Sequence, residues 1–151
     1  MKNVKICILD KEFYEKHPLP KYATPESAGL DLRACIEKST PILPGTRFLC
    51  PTGLAVDIDD LNLAMILLPK SGLGHQKGLI LSNAVGLVDS DYQKQVYASL
   101  WNTGTEPFIV EPGIFIAQAV FVPIVRVCWE LVDEFNREVK RTGGFGSTGD
   151  R

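Results

Sequence analysis

With 151 residues the chain is long enough for one domain and short for two. Hydrophobic residues make up 45% and charged residues 23%, a balance that excludes global disorder. Sixteen basic against 18 acidic side chains leave a net charge of −2, so the chain lacks the basic field that holds a nucleic-acid backbone.

In chain order, Val4, Ile6 and Ile8 alternate with Lys5 and Cys7, the period of two that gives a strand one buried face. Residues 17–29 carry three prolines and a glycine, which forbid a helix interior and a central strand, so an ordered loop or edge is expected. Alternation resumes over 30–35. A turn at 43–46 leads into strands over 47–50 and 54–58, and residues 59–62 allow one helical turn at most. The apolar run 64–68, ended by Pro69, reads as a buried strand. Apolar segments 78–88 and 96–101 bracket the polar stretch 89–95, which reads as a hairpin tip. Further turns at 102–107 and 111–113 precede strands over 114–125 and 127–132.

About ten short strands with no 12-residue window of helical period predict an all-β fold, either a sandwich or a jelly roll. The composition changes after Phe135. The expected division is therefore a β domain over 1–135 and a Gly-rich tail over 136–151, mobile until a ligand orders it. The cysteines at 7, 35, 50 and 128 form no C-x-x-C pair, and Asp10, Lys11 and Glu12 interrupt any signal-peptide core, which predicts a cytoplasmic protein with free buried thiols. His17 and His75 stand at no ligand spacing from a cysteine, which argues against zinc.

Three segments carry chemistry. In the tail, residues 141–149 (RTGGFGSTG) combine backbone N–H groups that can converge on an anion, the hydroxyls of Ser147 and Thr148, and the Arg141 guanidinium. Phe145, set between Gly144 and Gly146, has an aromatic face free to stack on a base. Residues 69–74 (PKSGLG) end a strand in a Gly-containing loop with the Lys70 cation and the Ser71 hydroxyl. Residues 83–92 bring an amide at Asn83, a carboxylate at Asp89 suited to a general base, and a flat ring at Tyr92 for a sugar. Read alone, each is also what a flexible tail or a turn looks like; together they point to a nucleotide and a hydrolytic step.

Five segments in order, 28–34 (AGLDLRA), 69–74 (PKSGLG), 86–92 (GLVDSDY), 113–118 (GIFIAQ) and 141–149 (RTGGFGSTG), resemble the five motifs of the trimeric dUTPases, most of all the bacterial form. The resemblance implies a jelly-roll-like homotrimer that hydrolyses dUTP to dUMP and pyrophosphate with Mg2+. It places Asp89 as the base that positions water, Tyr92 under the deoxyribose, and Asn83 on the uracil edge beside the backbone near Gly86. Lys70, Ser71, Gly72 and Gln118 fall at phosphate positions, and Asp31 near the metal through water. Arg141, Gly146, Ser147 and Thr148 fall at the γ-phosphate, and Phe145 over the uracil.

The chain departs from that pattern at three places. Lys70 stands where the family carries arginine, a point charge in place of a planar fork. Lys94 stands where it carries glycine, at a cost of about 1 kcal/mol if the position needs positive φ. Ile114 and Phe115 replace an acid and an arginine. These departures motivate a second reading, a weakened dUTP-binding or regulatory protein on the same scaffold. A third, a dCTP deaminase, requires a catalytic glutamate and arginine near 96–107, where Glu106 is the only acid.

Overall fold

The computed structural model describes residues 2–135, so the tail motif and its residues Arg141, Phe145, Gly146, Ser147 and Thr148 lie outside it. Ten strands and two short helices follow in order: β1 (Lys5–Ile8), α1 (Lys11–Lys16), β2 (Leu30–Arg33), β3 (Thr40–Ile42), β4 (Arg47–Asp57), β5 (Leu63–Leu68), α2 (Ser71–Lys77), β6 (Leu79–Leu81), β7 (Gly86–Val88), β8 (Gln95–Asn102), β9 (Phe108–Val110) and β10 (Phe115–Pro123).

The strands form two antiparallel four-stranded sheets, β1-β4-β8-β6 and β2-β10-β5-β7, with a small β3-β9 pair at one end. From β4 to β8 each successive strand changes sheet, so the chain crosses the sandwich repeatedly, and the sheets remain open at their edges. Alternating side chains from both sheets fill the space between them: Cys50, Val96, Ala98 and Leu100 from the first meet Leu32, Met65, Leu67, Ile116 and Ala119 from the second. Buried Asn102 ties the small sheet on, its amide donating to the Ile42 and Glu106 carbonyls, both at 2.8 Å.

The structure corrects the sequence reading at four points. Residues 78–88 are two strands in different sheets. β7 pairs with β5 while β8 pairs with β4 and β6, so 89–94 is a crossover between sheets and no hairpin tip. A polar stretch between two apolar runs looks the same in either case. Two helices form that had no expected counterpart, and both are too short to show a period. Asp10 caps α1 by accepting from the Phe13 N–H at 2.9 Å. Gly78 ends α2 at φ 67, where a Cβ would lie 2.6 Å from the Gly104 nitrogen. Residues 127–132 form no strand, and Val125, Val127, Trp129 and Leu131 are strongly exposed. Of the four free thiols, Cys35 and Cys50 are buried, whereas Cys7 and Cys128 are exposed.

Candidate functional site

Strand register assembles the first cluster. Gln118 on β10 lies opposite Asp31 on β2 and Leu68 on β5, so three strands meet at this level. The Gln118 amide donates to the Pro69 carbonyl at 3.1 Å, which fixes the chain where β5 turns into α2. Gly29 leaves room for that amide, since a Cβ there would stand 3.0 Å from Gln118 Oε1. Lys70 then reaches back across the sheet, its ammonium 2.5 Å from Asp31 Oδ1, with both side chains a little over one-quarter exposed. Ser71 and Gly72 open α2 at the surface, where the first N–H groups of a helix have no partner within it.

Arg33 belongs to the same cluster, because residues i and i+2 of a strand share a face and Asp31 is already there. Its Nη1 donates to the Gly113 carbonyl at 2.7 Å, and its guanidinium carbon sits 4.0 Å from the centre of the Phe115 ring. The Lys70 ammonium lies 5.3 Å from that same centre. A cavity of about 680 Å³ opens beside these groups, lined among others by His17, Arg33, Lys70, Gly72, Gly113 and Phe115. The sequence reading missed Arg33, which its i+2 spacing from Asp31 could have revealed; His17, near the C-terminal end of α1, offered no such signal.

Gly113 shapes the turn into β10. Its φ of 81 favours glycine, and a Cβ there would lie 2.3 Å from the His17 ring, which is itself packed on Phe13 with ring centres 4.4 Å apart.

Asn83, Asp89 and Tyr92 form a second group, held on turns. Asn83 lies in the β6–β7 connection, exposed, and the next residue, Ala84, takes a left-handed φ of 59. Gly86 starts β7 against Leu67, and a Cβ would meet Leu67 Cβ at 3.0 Å, so this position holds bare backbone. Asp89 and Tyr92 sit on the crossover: the Tyr92 N–H donates to the Asp89 carbonyl at 3.2 Å and the Tyr92 hydroxyl to the Gln95 carbonyl at 2.9 Å. The crossover is anchored to β4 through Asp57, whose carboxyl is held below the usual range by the Gln93 side chain and then by Lys5. Lys94 is not among the described non-glycine residues with positive φ, which are Asp59 and Ala84, so the strain expected of a lysine here does not arise.

Asp89 lines a separate cavity of about 380 Å³ with Leu61, Ala64, Ser90, Asp91, Ile124 and Arg126. Glu106, the acid a deaminase would require, lies on the β8–β9 connection beside a further cavity with Gln76 and Lys77. Among the described residues no three His, Cys, Asp or Glu side chains group as metal ligands, and no helix is long and apolar enough to cross a membrane.

Two open antiparallel sheets, with a charged cluster at one end and a carboxylate on a sheet-to-sheet crossover, define a jelly-roll-like sandwich. The chain belongs to the dUTPase family, which it matches over residues 15–149. It is 52% identical over 149 residues to a deoxyuridine 5'-triphosphate nucleotidohydrolase of Serratia proteamaculans, covering 99% of this chain and 98% of that one. The protein of that name from Tolumonas auensis is 50% identical, covering 99% of both. In fold, the chain superposes on a Staphylococcus bacteriophage 80alpha dUTPase mutant solved with dUpNHpp, at TM-score 0.81 and 20% identity over 99% of each chain. It also superposes on a mutant dUTPase from phage phi11 of S. aureus, described with a structural Mg(II) ion, at TM-score 0.78 and 18% identity over 90% of this chain and 100% of that one.

Proposed function

We propose that this protein hydrolyses dUTP to dUMP and pyrophosphate. The observation that carries the reading is the end-to-end identity of about half with relatives named for that activity. The site geometry supports it. Phosphoryl transfer asks a protein mainly for positioning and charge stabilisation, and Lys70, Ser71, Gly72 and Gln118 gather cationic and hydrogen-bonding groups on one rigid sheet end.

Asp89 takes a proton from a water that attacks the α-phosphorus. The bond from that phosphorus to the oxygen bridging the β-phosphate breaks, and pyrophosphate leaves with the electron pair on that oxygen. Tyr92 presents its ring to the deoxyribose, where a 2′-hydroxyl would collide, and Asn83 with the backbone near Gly86 reads the uracil edge. From the tail, Arg141, Gly146, Ser147 and Thr148 bind the γ-phosphate and Phe145 covers the base; residues 136–151 act as the closing segment of the 1–135 domain.

Mg2+ fits this arrangement: it prefers few protein ligands, held through phosphates and waters, and Asp31 offers one partly exposed carboxylate. When bound with the triphosphate it supplies charge neutralisation. A homotrimer in the cytoplasm completes the proposal. The Lys70 cluster and Asp89 line different cavities of one chain, and the exposed side chains of Val125, Val127, Trp129 and Leu131 need cover.

Pyrophosphate release from dUTP with Mg2+, beside dTTP, dCTP and UTP, tests the reading. The expected result is preference for dUTP by about 10²-fold or more, with turnover lost in Asp89→Asn. Tight dUTP binding without turnover would assign the regulatory role instead, and ammonia release from dCTP the deaminase.

A further inference from the structure

Two departures that look independent in the sequence touch in space. Lys70 and Phe115 each stand where the family resemblance leads one to expect arginine, and the Lys70 ammonium lies 5.3 Å from the centre of the Phe115 ring. That ring also carries the Arg33 guanidinium at 4.0 Å. An aromatic face attracts cations within about 6 Å of its centre through the ring quadrupole. One phenyl group therefore serves two positive charges at the same end of the sheet, one from β2 and one from the β5–α2 junction.

We propose that Phe115 is a positioning residue for the triphosphate, its ring holding Arg33 and Lys70 together at the mouth of the 680 Å³ cavity so that both meet the phosphate chain. This rests on the dUTP-hydrolysing reading for the identity of that chain. Each cation has a second tether that sets its reach. Arg33 is tied to the Gly113 carbonyl at 2.7 Å, and Lys70 to Asp31 at 2.5 Å. Neither tether links the two cations, which repel one another; the ring is the group they share. Lysine needs such a guide more than arginine does, because its ammonium is a point charge on a flexible stem. An arginine at 115 beside Arg33 would add a third positive charge at this spot, whereas a phenyl ring adds attraction. Phe115 is 38% exposed, so its face is open to the cavity and little core depends on it.

The test compares Phe115→Leu, which keeps apolar bulk and removes the aromatic face, with Phe115→Tyr, which keeps the face. The readouts are steady-state turnover of dUTP with Mg2+ and competition by inorganic tripolyphosphate, which carries the phosphate chain without a nucleoside. Phe115→Leu is expected to raise KM and the tripolyphosphate inhibition constant together by about three- to tenfold, with kcat within about twofold, and Phe115→Tyr to restore both. Unchanged constants in Phe115→Leu, equal losses in the two variants, or no tripolyphosphate binding by the parent protein would each overturn the proposal. If the parent protein binds tripolyphosphate in a Phe115-dependent way yet leaves dUTP intact, the positioning role stands and the dUTP reading falls.

Discussion

The two halves of the site are built on opposite plans. Asp31, Lys70 and Gln118 sit at one level of a three-strand register, where side chains bond across β2, β10 and the start of α2. Asn83, Asp89 and Tyr92 sit on connections that cross from one sheet to the other, with exposed side chains and positions set by backbone turns. The first half is held in place before any ligand arrives, which suits the phosphate role proposed for it. In the proposed function the second would meet the parts of a nucleotide that vary, its base and sugar, and supply the carboxylate that works on water. The two halves line separate cavities of one chain, and in the proposed trimer a second copy would bring them together.

The largest effects are expected from breaking one half at a time. Asp89→Asn is expected to lower turnover of dUTP by about 10²–10⁴-fold, the range a general base contributes, while tripolyphosphate inhibition stays within about twofold. Lys70→Met is expected to do the reverse in emphasis: KM and the tripolyphosphate constant rise about tenfold, as for a charge-assisted contact of roughly 1.5–3 kcal/mol discounted for partial exposure. If both variants lost kcat and KM alike, the division between the halves would not hold. Deleting residues 141–151 is expected to abolish turnover while sizing still reports three chains; loss of the trimer would move the tail from the site to the interface.

How much of this was legible in the sequence follows from the same contrast. The strand carrying Asp31 was readable because alternation survives in any sheet, and the one carrying Gln118 because its apolar run is bounded by turns, whereas Arg33 was missed although it stands two positions from Asp31 on the same strand. Two features of the 71–95 region were unreadable. Its crossover looks like a hairpin tip, since polarity marks an exposed connection without saying which sheets it joins. α2 has seven residues, too few to show a period, and is closed by Gly78, which reads as any loop glycine. The contact of Phe115 with Lys70 joins β10 to the start of α2, 45 positions apart, a distance no local pattern spans. Lys94 fails in the other direction: a penalty argued from residue type does not apply, because its φ is negative.

A middle-sized effect tests how far the first half depends on the turn that feeds it. Gly113→Ala puts a Cβ 2.3 Å from the His17 ring at a φ of 81, and the expected loss is about 2–3 kcal/mol, a fall in Tm of roughly 5–10 °C. Adding His17→Ala removes the collision and leaves the backbone strain, so the double variant is expected to recover about half of the loss. A double variant no better than the single one would place the whole cost in the φ angle. Because Gly113 also accepts from Arg33, KM is expected to rise with the single variant while kcat holds.

The smallest effect separates the core beneath the site from the surface. Burial, aided by the Asp10 carboxylate, pushes the Cys35 thiol up to about 12, and burial followed by the Cys35 neighbour pushes Cys50 up to about 12. In the unfolded chain both titrate near 8.5. A raised native value means that the folded protein keeps protons the unfolded chain releases, so the stabilisation is complete below pH of about 8.5 and shrinks as pH climbs from there toward about 12. Between pH 8 and 9.5 these thiols titrate in the unfolded chain ahead of Tyr14, whose ordinary value is about 10 and which burial raises further. The urea midpoint is therefore expected to fall across that interval, and Cys50→Ala to flatten the fall. At pH 8, where the native protein is intact, a thiol reagent is expected to label exposed Cys7 and Cys128 rapidly and Cys35 and Cys50 only on unfolding. Four fast thiols would mean that the two sheets part readily near β4, and the rigidity assigned to the register-built half would have to come from elsewhere.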